Sequence, residues 1–285
     1  KTDPEINMFL LYQILITIAL FISPLIIIYR IFKNKEDKKR FIEKFGFSSK
    51  KRKKGKLIWF HGASVGEILS VIPLIKNYEK KKSIKQILVT SSTLSSSKVL
   101  NKFNFKKTIH QFFPIDYFIF TNKFLNYWKP SVGIFIDSEI WPCMFTNIHK
   151  EKIPLLLLNA RLTKKTFCRW MKIKNFYKVI FGKITVAYPQ NKETASYLKY
   201  IKKVSINLLG NLKFSENDEE NLEKINFKLK SEFNKKKIWI ASSTHKSEEI
   251  FCGKAHLQLK KKYKNLLTIM IPRHIHRTKE IISEL

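Results

Sequence analysis

The chain has 285 residues, with 55 Lys and Arg against 22 Asp and Glu, a formal net charge of +33. An apolar content of 44% can supply hydrophobic cores and excludes a disordered basic tail, and the length suits about two domains. Three scattered cysteines, Cys143, Cys168 and Cys252, exclude a disulfide scaffold and a cysteine-built zinc site and point to a reducing compartment.

Met8 to Tyr29 runs for 22 positions without a charge. As a helix this stretch reaches about 33 Å, enough to cross a bilayer core of roughly 30 Å. Lys1, Asp3 and Glu5 precede it, whereas Arg30, Lys33, Lys35, Lys38, Lys39 and Arg40 follow it. The excess of cations after the segment predicts a single-pass anchor over residues 8–29 with the body on the cytoplasmic side. Residues 30–56 form a basic juxtamembrane segment ending in KKRKKGK. Beside anionic lipid each such cation adds about 1 kcal/mol of attraction. Only seven of the 55 cations are Arg, the residue favoured for base edges and bidentate phosphate contacts, so no nucleic-acid partner is expected.

From residue 57 short apolar runs alternate with helical patterns. Leu57–Phe60, Gln86–Thr90, Val132–Ile136, Pro154–Asn159 and Ile184–Ala187 suit strands buried on both faces of a parallel sheet. Helices are expected over Ile68–Tyr78, Ser97–Phe103, Tyr117–Trp128, Thr166–Phe181 and Lys192–Tyr200. This rhythm predicts an α/β, doubly wound domain over 57–211. A second unit opens at 212, with a charged helical stretch over 215–237. It continues with strands Ile238–Ala241 and Leu266–Ile271 around a helix from about Glu248 to Lys262. One β-α-β step is too little for a stable parallel domain, and Lys rather than Met stands first. The sequence therefore reads as a piece of a longer chain with its second domain incomplete.

Several constellations directly follow predicted strands, where α/β folds bind ligands. In His61-Gly62-Ala63-Ser64-Val65-Gly66-Glu67, Ser64 and Glu67 fit a capping box, and the glycines permit a tight turn. The Glu67 carboxylate is equally placed to act as a general base, and the two roles are compatible. Asp137-Ser138-Glu139-Ile140-Trp141-Pro142 sets two carboxylates at a strand end, either a site or an exposed acidic loop. Arg161, Lys213 and Arg273 are cations suited to phosphate or carboxylate. The loop Ser242–Glu249 leads into a helix whose free N–H groups suit an anion. His245 with Glu248 or Glu249 lacks the H-E-x-x-H spacing and a third ligand, so no metal site is expected. No phosphate-binding P-loop, G-x-G-x-x-G or G-x-S-x-G motif is present.

As an ordered set, HGASVGE, TSSTLSS, FPIDY, DSEIWP, NARLTKKT, GNLKFS, SSTHKSEE and PRHIHR resemble the 3-deoxy-D-manno-octulosonic acid (Kdo) transferase family from about Arg40 onward. The resemblance implies an inverting glycosyltransferase of the GT-B type, with two Rossmann-like domains and neither metal nor cofactor. It implies transfer of Kdo from CMP-Kdo to the tetraacylated lipid A precursor (lipid IVA) at the inner membrane, whose anionic lipids meet the basic segment. Residues 57–211 would then be the acceptor domain, and 212–285 the start of the CMP-Kdo domain. Glu67 matches the family's general base, and Asp137, Glu139 and Lys213 inherit a role in stabilising the transition state. Pro272, Arg273 and His274 match the nucleotide-binding motif. Substrate or nucleotide contacts are also expected from Ser64, Gly66, Arg161 and Asn211, and from Ser243, Thr244, His245 and Glu248. Departures from the family are Asp137 where Glu is usual, Cys143 where Asn is usual, and Ser96 where Gly is usual. The family's G-G-H-N region and the acidic residue after it do not occur in these 285 residues, which leaves the donor site incomplete and predicts poor activity for this piece. Alternatives are a membrane-associated GT-B enzyme using a UDP-sugar and a non-catalytic protein that binds the lipid A precursor.

Overall fold

The structure, a computed structural model, describes residues 4–33, 35–201, 204–212 and 227–285. The chain divides into two compact units, Lys1–Glu216 and Asn217–Leu285.

The first unit opens with helix α1 (Pro4–Phe32), then a short 3-10 turn (Phe41–Phe45) and strand β1 (Lys56–His61). There follow α2 (Val65–Ser70), α3 (Ile72–Lys80), β2 (Ile84–Ser91), α4 (Leu94–Leu100), β3 (Thr108–Phe112), α5 (Phe118–Trp128) and β4 (Val132–Ile136). The unit continues with α6 (Pro142–Lys150), β5 (Leu155–Ala160), α7 (Lys164–Met171), α8 (Lys174–Phe181), β6 (Val186–Pro189), α9 (Lys192–Leu198) and β7 (Ser205–Ile206). The seven strands form one parallel sheet in the order β3-β2-β1-β4-β5-β6-β7. The order reverses between β1 and β4, which opens a crevice at their carboxyl ends.

Side-chain alternation along the strands builds two cores. Leu57 and Trp59 of β1 join an aromatic-rich cluster with Phe124, Trp128, Phe135, Phe145 and Tyr177. Ile58 and Phe60, pointing the other way, join Ile68, Ile72, Ile75, Ile87 and Val89 beneath α2 and α3. Helices on both faces explain why these strands read as continuous apolar runs.

Some expected elements change shape. The helix expected over Ile68–Tyr78 is two, because Pro73 lacks an N–H and fits only the first turn of α3. The helix expected over Thr166–Phe181 is also two, broken where Ile173 takes ψ 49°, outside the helical region. β3 and α6 went unforeseen. β3 is the polar edge strand TIHQF, and its buried His110 and Gln111 are paired rather than apolar: His110 Nε2 meets Ser91 Oγ at 2.8 Å, and Gln111 Oε1 accepts from Trp128 Nε1 at 2.9 Å. The 30–56 segment, expected only to face lipid, also closes this edge. Glu43 is fully buried, accepts Phe112 N at 2.7 Å, and takes both arms of the Arg40 guanidinium at 2.9 Å. An exposed strand edge is thereby covered.

In the second unit α10 (Phe227–Asn234) precedes β8 (Lys237–Thr244), α11 (Glu248–Lys262), β9 (Leu266–Pro272) and α12 (Thr278–Glu284). β8 and β9 pair in parallel with α11 as the crossover. Residues 215–226 of the expected charged helix, and Lys213, lie outside the described residues.

Candidate active site

The β1–α2 and β4–α6 loops meet at the crevice where the strand order reverses. Ser64 caps α2: its Oγ accepts Glu67 N at 3.3 Å and donates to Glu67 Oε1 at 2.8 Å, while Ala63 N donates to Oε2 at 2.7 Å. The capping box expected from the sequence therefore forms, and it fixes the rotamer of the carboxylate proposed as base. Burial holds the Glu67 carboxyl above its ordinary value of 4.5, against the hydrogen bond from Ser64, and the nearby Glu139 carboxylate raises it further. Both effects disfavour the charged form and move the group towards neutrality.

The turn that presents Glu67 has little room. A Cβ on Gly62 would lie 3.0 Å from Glu67 Cβ and 3.3 Å from the side chains of Ile136 and Ile68. Gly66 differs: its φ is not left-handed, and a Cβ there would meet nothing within 4 Å. The tight-turn reason expected for Gly66 therefore fails, and its exposed position borders open space.

His61, the last residue of β1, follows the parity of Leu57 and Trp59 into the aromatic layer. Its ring stacks on Phe113 at 3.8 Å between centroids, and its Nδ1 lies 3.0 Å from Thr90 Oγ1. Nε2 is 3.3 Å from Glu139 Oε2, outside hydrogen-bonding geometry. Trp141 Nε1 donates to the same oxygen at 3.0 Å. Glu139 is thus held between a buried imidazole and an indole. His61 had no expected role of its own; the strand parity that carries Leu57 and Trp59 inward was the available signal.

Asp137, just past β4, and Asn159, next to the last residue of β5, lie side by side in left-handed conformation, with φ of 60° and 52°. Asp and Asn tolerate that region better than other non-glycine residues, and such strain concentrates at functional sites. Asn159 Nδ2 donates to Asp137 Oδ1 at 2.6 Å, and Asn159 Oδ1 accepts Leu212 N at 3.1 Å. The second contact brings the Gly210-Asn211-Leu212 turn, with Gly210 at φ 87°, to the acidic loop. Arg161 N donates to Asp137 O at 3.2 Å, and the Arg161 side chain is exposed. A cavity of about 140 Å³ lies behind Asp137, Ser138 and Arg161. A larger one, about 470 Å³, is lined by His149, Lys178 and Lys183 near the carboxyl ends of α6 and α8. In a parallel α/β unit those helix ends lie at the opposite edge of the sheet, away from these carboxylates.

In the second unit the carboxyl ends of β8 and β9 gather the remaining residues. Thr244 pairs with Pro272, Arg273 N donates to Thr244 O at 3.0 Å, and the His245 and His274 rings lie 6.4 Å apart. Ser243 has φ 61°. Glu248 Oε2 accepts His245 N at 2.8 Å. The anion expected at the start of α11 is disfavoured, because Glu248 and Glu249 already occupy its first turn and Ser247 makes no side-chain cap. Arg273, whose amide joins the two strand ends here, is exposed. Among the described residues no three His, Cys, Asp or Glu side chains converge as a metal site would require.

Comparison with known proteins gives the family and the fold. A family model described as 3-deoxy-D-manno-octulosonic-acid transferase (kdotransferase) matches residues 39–216. A 3-deoxy-D-manno-octulosonic acid transferase of Rickettsia felis is 39% identical over 231 residues, which is 80% of this chain and 49% of that protein. The Rickettsia bellii transferase is 36% identical over 277 residues, 96% of this chain and 65% of that protein. The chain therefore spans about half to two thirds of these relatives. Among solved structures, a UDP-GlcNAc 2-epimerase from Neisseria meningitidis aligns with a TM-score of 0.57 at 16% identity, covering 81% of this chain and 69% of its own, and shows the shared GT-B-like α/β fold. Motif order, family model and relatives agree, and the chain belongs to the 3-deoxy-D-manno-octulosonic acid transferase family.

Proposed function

We propose that the full-length protein is an inverting glycosyltransferase that moves Kdo from CMP-Kdo to the tetraacylated lipid A precursor on the cytoplasmic face of the bacterial inner membrane. The observation that carries this reading is Glu67: a proton-avid carboxylate, fixed by Ser64 and set beside Glu139 at the crevice where the strand order reverses. In the reaction an acceptor hydroxyl oxygen attacks the anomeric carbon of Kdo and its proton passes to Glu67. The bond from that carbon to the phosphate oxygen breaks, and CMP leaves. A base whose carboxyl is raised above its ordinary value takes that proton more effectively than an ordinary carboxylate.

Asp137, Glu139 and Lys213 stabilise the developing charge on the acceptor side, with Ser64, Gly66, Arg161 and Asn211 lining the approach. The donor phosphate and cytidine fall to the second unit, to Arg273, His274 and Pro272 with Ser243, Thr244, His245 and Glu248. Fixed cations stabilise a departing phosphate without reorganisation. The acceptor is acylated and phosphorylated, and an apolar anchor next to a basic segment suits such a substrate.

The test is incubation of the full-length protein with the lipid A precursor and either CMP-Kdo or UDP-sugars. Transfer from CMP-Kdo is expected. Transfer from UDP-sugars alone would replace this reading with the other GT-B one, and precursor binding without turnover would replace it with the non-catalytic one.

A further inference from the structure

We infer that α1 does not stand across the bilayer but lies along the first unit, clamped to it through Tyr12 and Asp116, with its outer face in the lipid on the same side as the body. Its sequence permits a span: an 18-residue window within Met8–Phe32 has a mean hydropathy of 2.4. Its contacts point elsewhere. Tyr12 Oη donates to Asp116 Oδ2 at 2.7 Å, and Asp116 is buried in the body, where it also accepts Cys143 N and Met144 N at the start of α6 at 2.9 and 2.8 Å. Met8 and Phe9 pack on the aromatic core, with the Phe9 ring 6.5 Å from Phe176 of α8, and the Gln13 side chain reaches the Cys143 thiol.

The other end of α1 is tied to the same unit. Arg30 Nε pairs with Glu36 at 3.1 Å, Glu36 pairs with Lys44, and Lys44 O accepts the amide of Ile115, the residue before Asp116. Tyr12 and Arg30 are 18 residues apart, about 27 Å along a helix. That is nearly the thickness of a bilayer core. Were Arg30 at one interface of a crossing helix, Tyr12 would sit near the other, out of reach of a body that stays on the first side.

Burial along α1 repeats this orientation. The less exposed positions step by three or four as a single stripe, Phe9, Tyr12 and Gln13, Ile16 and Thr17, Leu20, Ser23, Ile27, and this stripe holds the polar Tyr12, Gln13, Thr17 and Ser23. The opposite face is apolar and open, with Leu15 58%, Ile18 53%, Phe21 82%, Leu25 70% and Phe32 81% exposed. A helix with one half-buried stripe that carries polar side chains and one open apolar face, followed by Arg30, Lys33 and Lys35, fits the surface of an anionic bilayer. The occupant of that open face is lipid. The placement holds whichever sugar the protein moves.

Two measurements on the full-length protein in native membranes test this. An epitope tag joined ahead of residue 4 is expected to resist protease in spheroplasts and to be digested in inverted vesicles. Digestion in spheroplasts would place that end across the membrane and overturn the inference. In the second, Gln13→Cys is treated with a mild oxidant and is expected to form a disulfide with native Cys143, seen as a reducible mobility shift that Cys143→Ser abolishes. A protected tag without that disulfide would also overturn it, since α1 would then share the side of the body but not dock on it.

Discussion

Glu67 is at once a helix-capping residue and the proposed base, and the two roles pull its stability in opposite directions. Because its carboxyl is raised above 4.5 in the fold, the unfolded chain loses that proton first as pH rises, and the charged side chain costs stability above that range. Relative to wild type, Glu67→Gln is therefore expected to gain in melting temperature between pH 4.5 and neutrality; a growing loss over that interval would contradict the burial account. The same shift sets the acid limb of kcat/KM at a higher pH than an ordinary carboxylate gives. Glu139→Gln removes a charge that raises Glu67, so that limb is expected to move to lower pH, whatever happens to the maximal rate. A limb that stays or moves up would separate the two carboxylates. Glu67 was legible from the sequence because a capping box has fixed spacing. The Asp137–Asn159 pair was only half legible, since two left-handed residues on neighbouring strands leave no mark in either segment alone.

Loops and strand ends place these groups, and the supporting elements can be tested separately. Gly62→Ala is expected to push directly on Glu67 and Ile136, costing about 1–3 kcal/mol of stability from overpacking and ~10–100-fold in kcat/KM through displacement of the carboxylate. A variant with wild-type turnover would show that the close turn does not position the base. Asp116 holds the first amides of α6, the helix that follows the acidic loop. Asp116→Ala leaves buried N–H groups unpaired and is expected to cost about 2 kcal/mol or more, read from the melting midpoint, with Asp116→Asn milder because it keeps an acceptor. Equal stability in all three proteins would sink this role. Continuous apolar strands such as Leu57–Phe60 could be read directly because both their faces are buried. β3 could not, because its buried His110 and Gln111 are satisfied by Ser91, Trp128 and Arg40, partners distant in sequence.

Across the whole molecule, the charge of +33 is divided among different tasks. Arg40 seals a strand edge, Arg52 binds the backbone at Trp128, and Arg277 pairs with the buried Glu249, so some cations are structural. Under the proposed function, the exposed lysines of residues 30–56 are the cations available to anionic lipid, whereas Lys44 pairs with Glu36. Binding of the full-length protein to anionic vesicles is expected to weaken as salt rises towards about 0.5 M, where screening is within a few ångströms, yet to persist through the open apolar face of α1. Complete release by salt would deny that face a lipid contact. Hydropathy made α1 visible in the sequence but not its docking, because Tyr12 and Asp116 are 104 positions apart.

In the proposed reaction Glu67 removes the acceptor proton. Its most direct test compares full-length wild type with Glu67→Gln for CMP-Kdo binding and for Kdo transfer to the lipid A precursor. Donor affinity is expected to be unchanged while transfer falls by about 10²–10⁴-fold. Near-normal transfer in the variant would exclude Glu67 as the base.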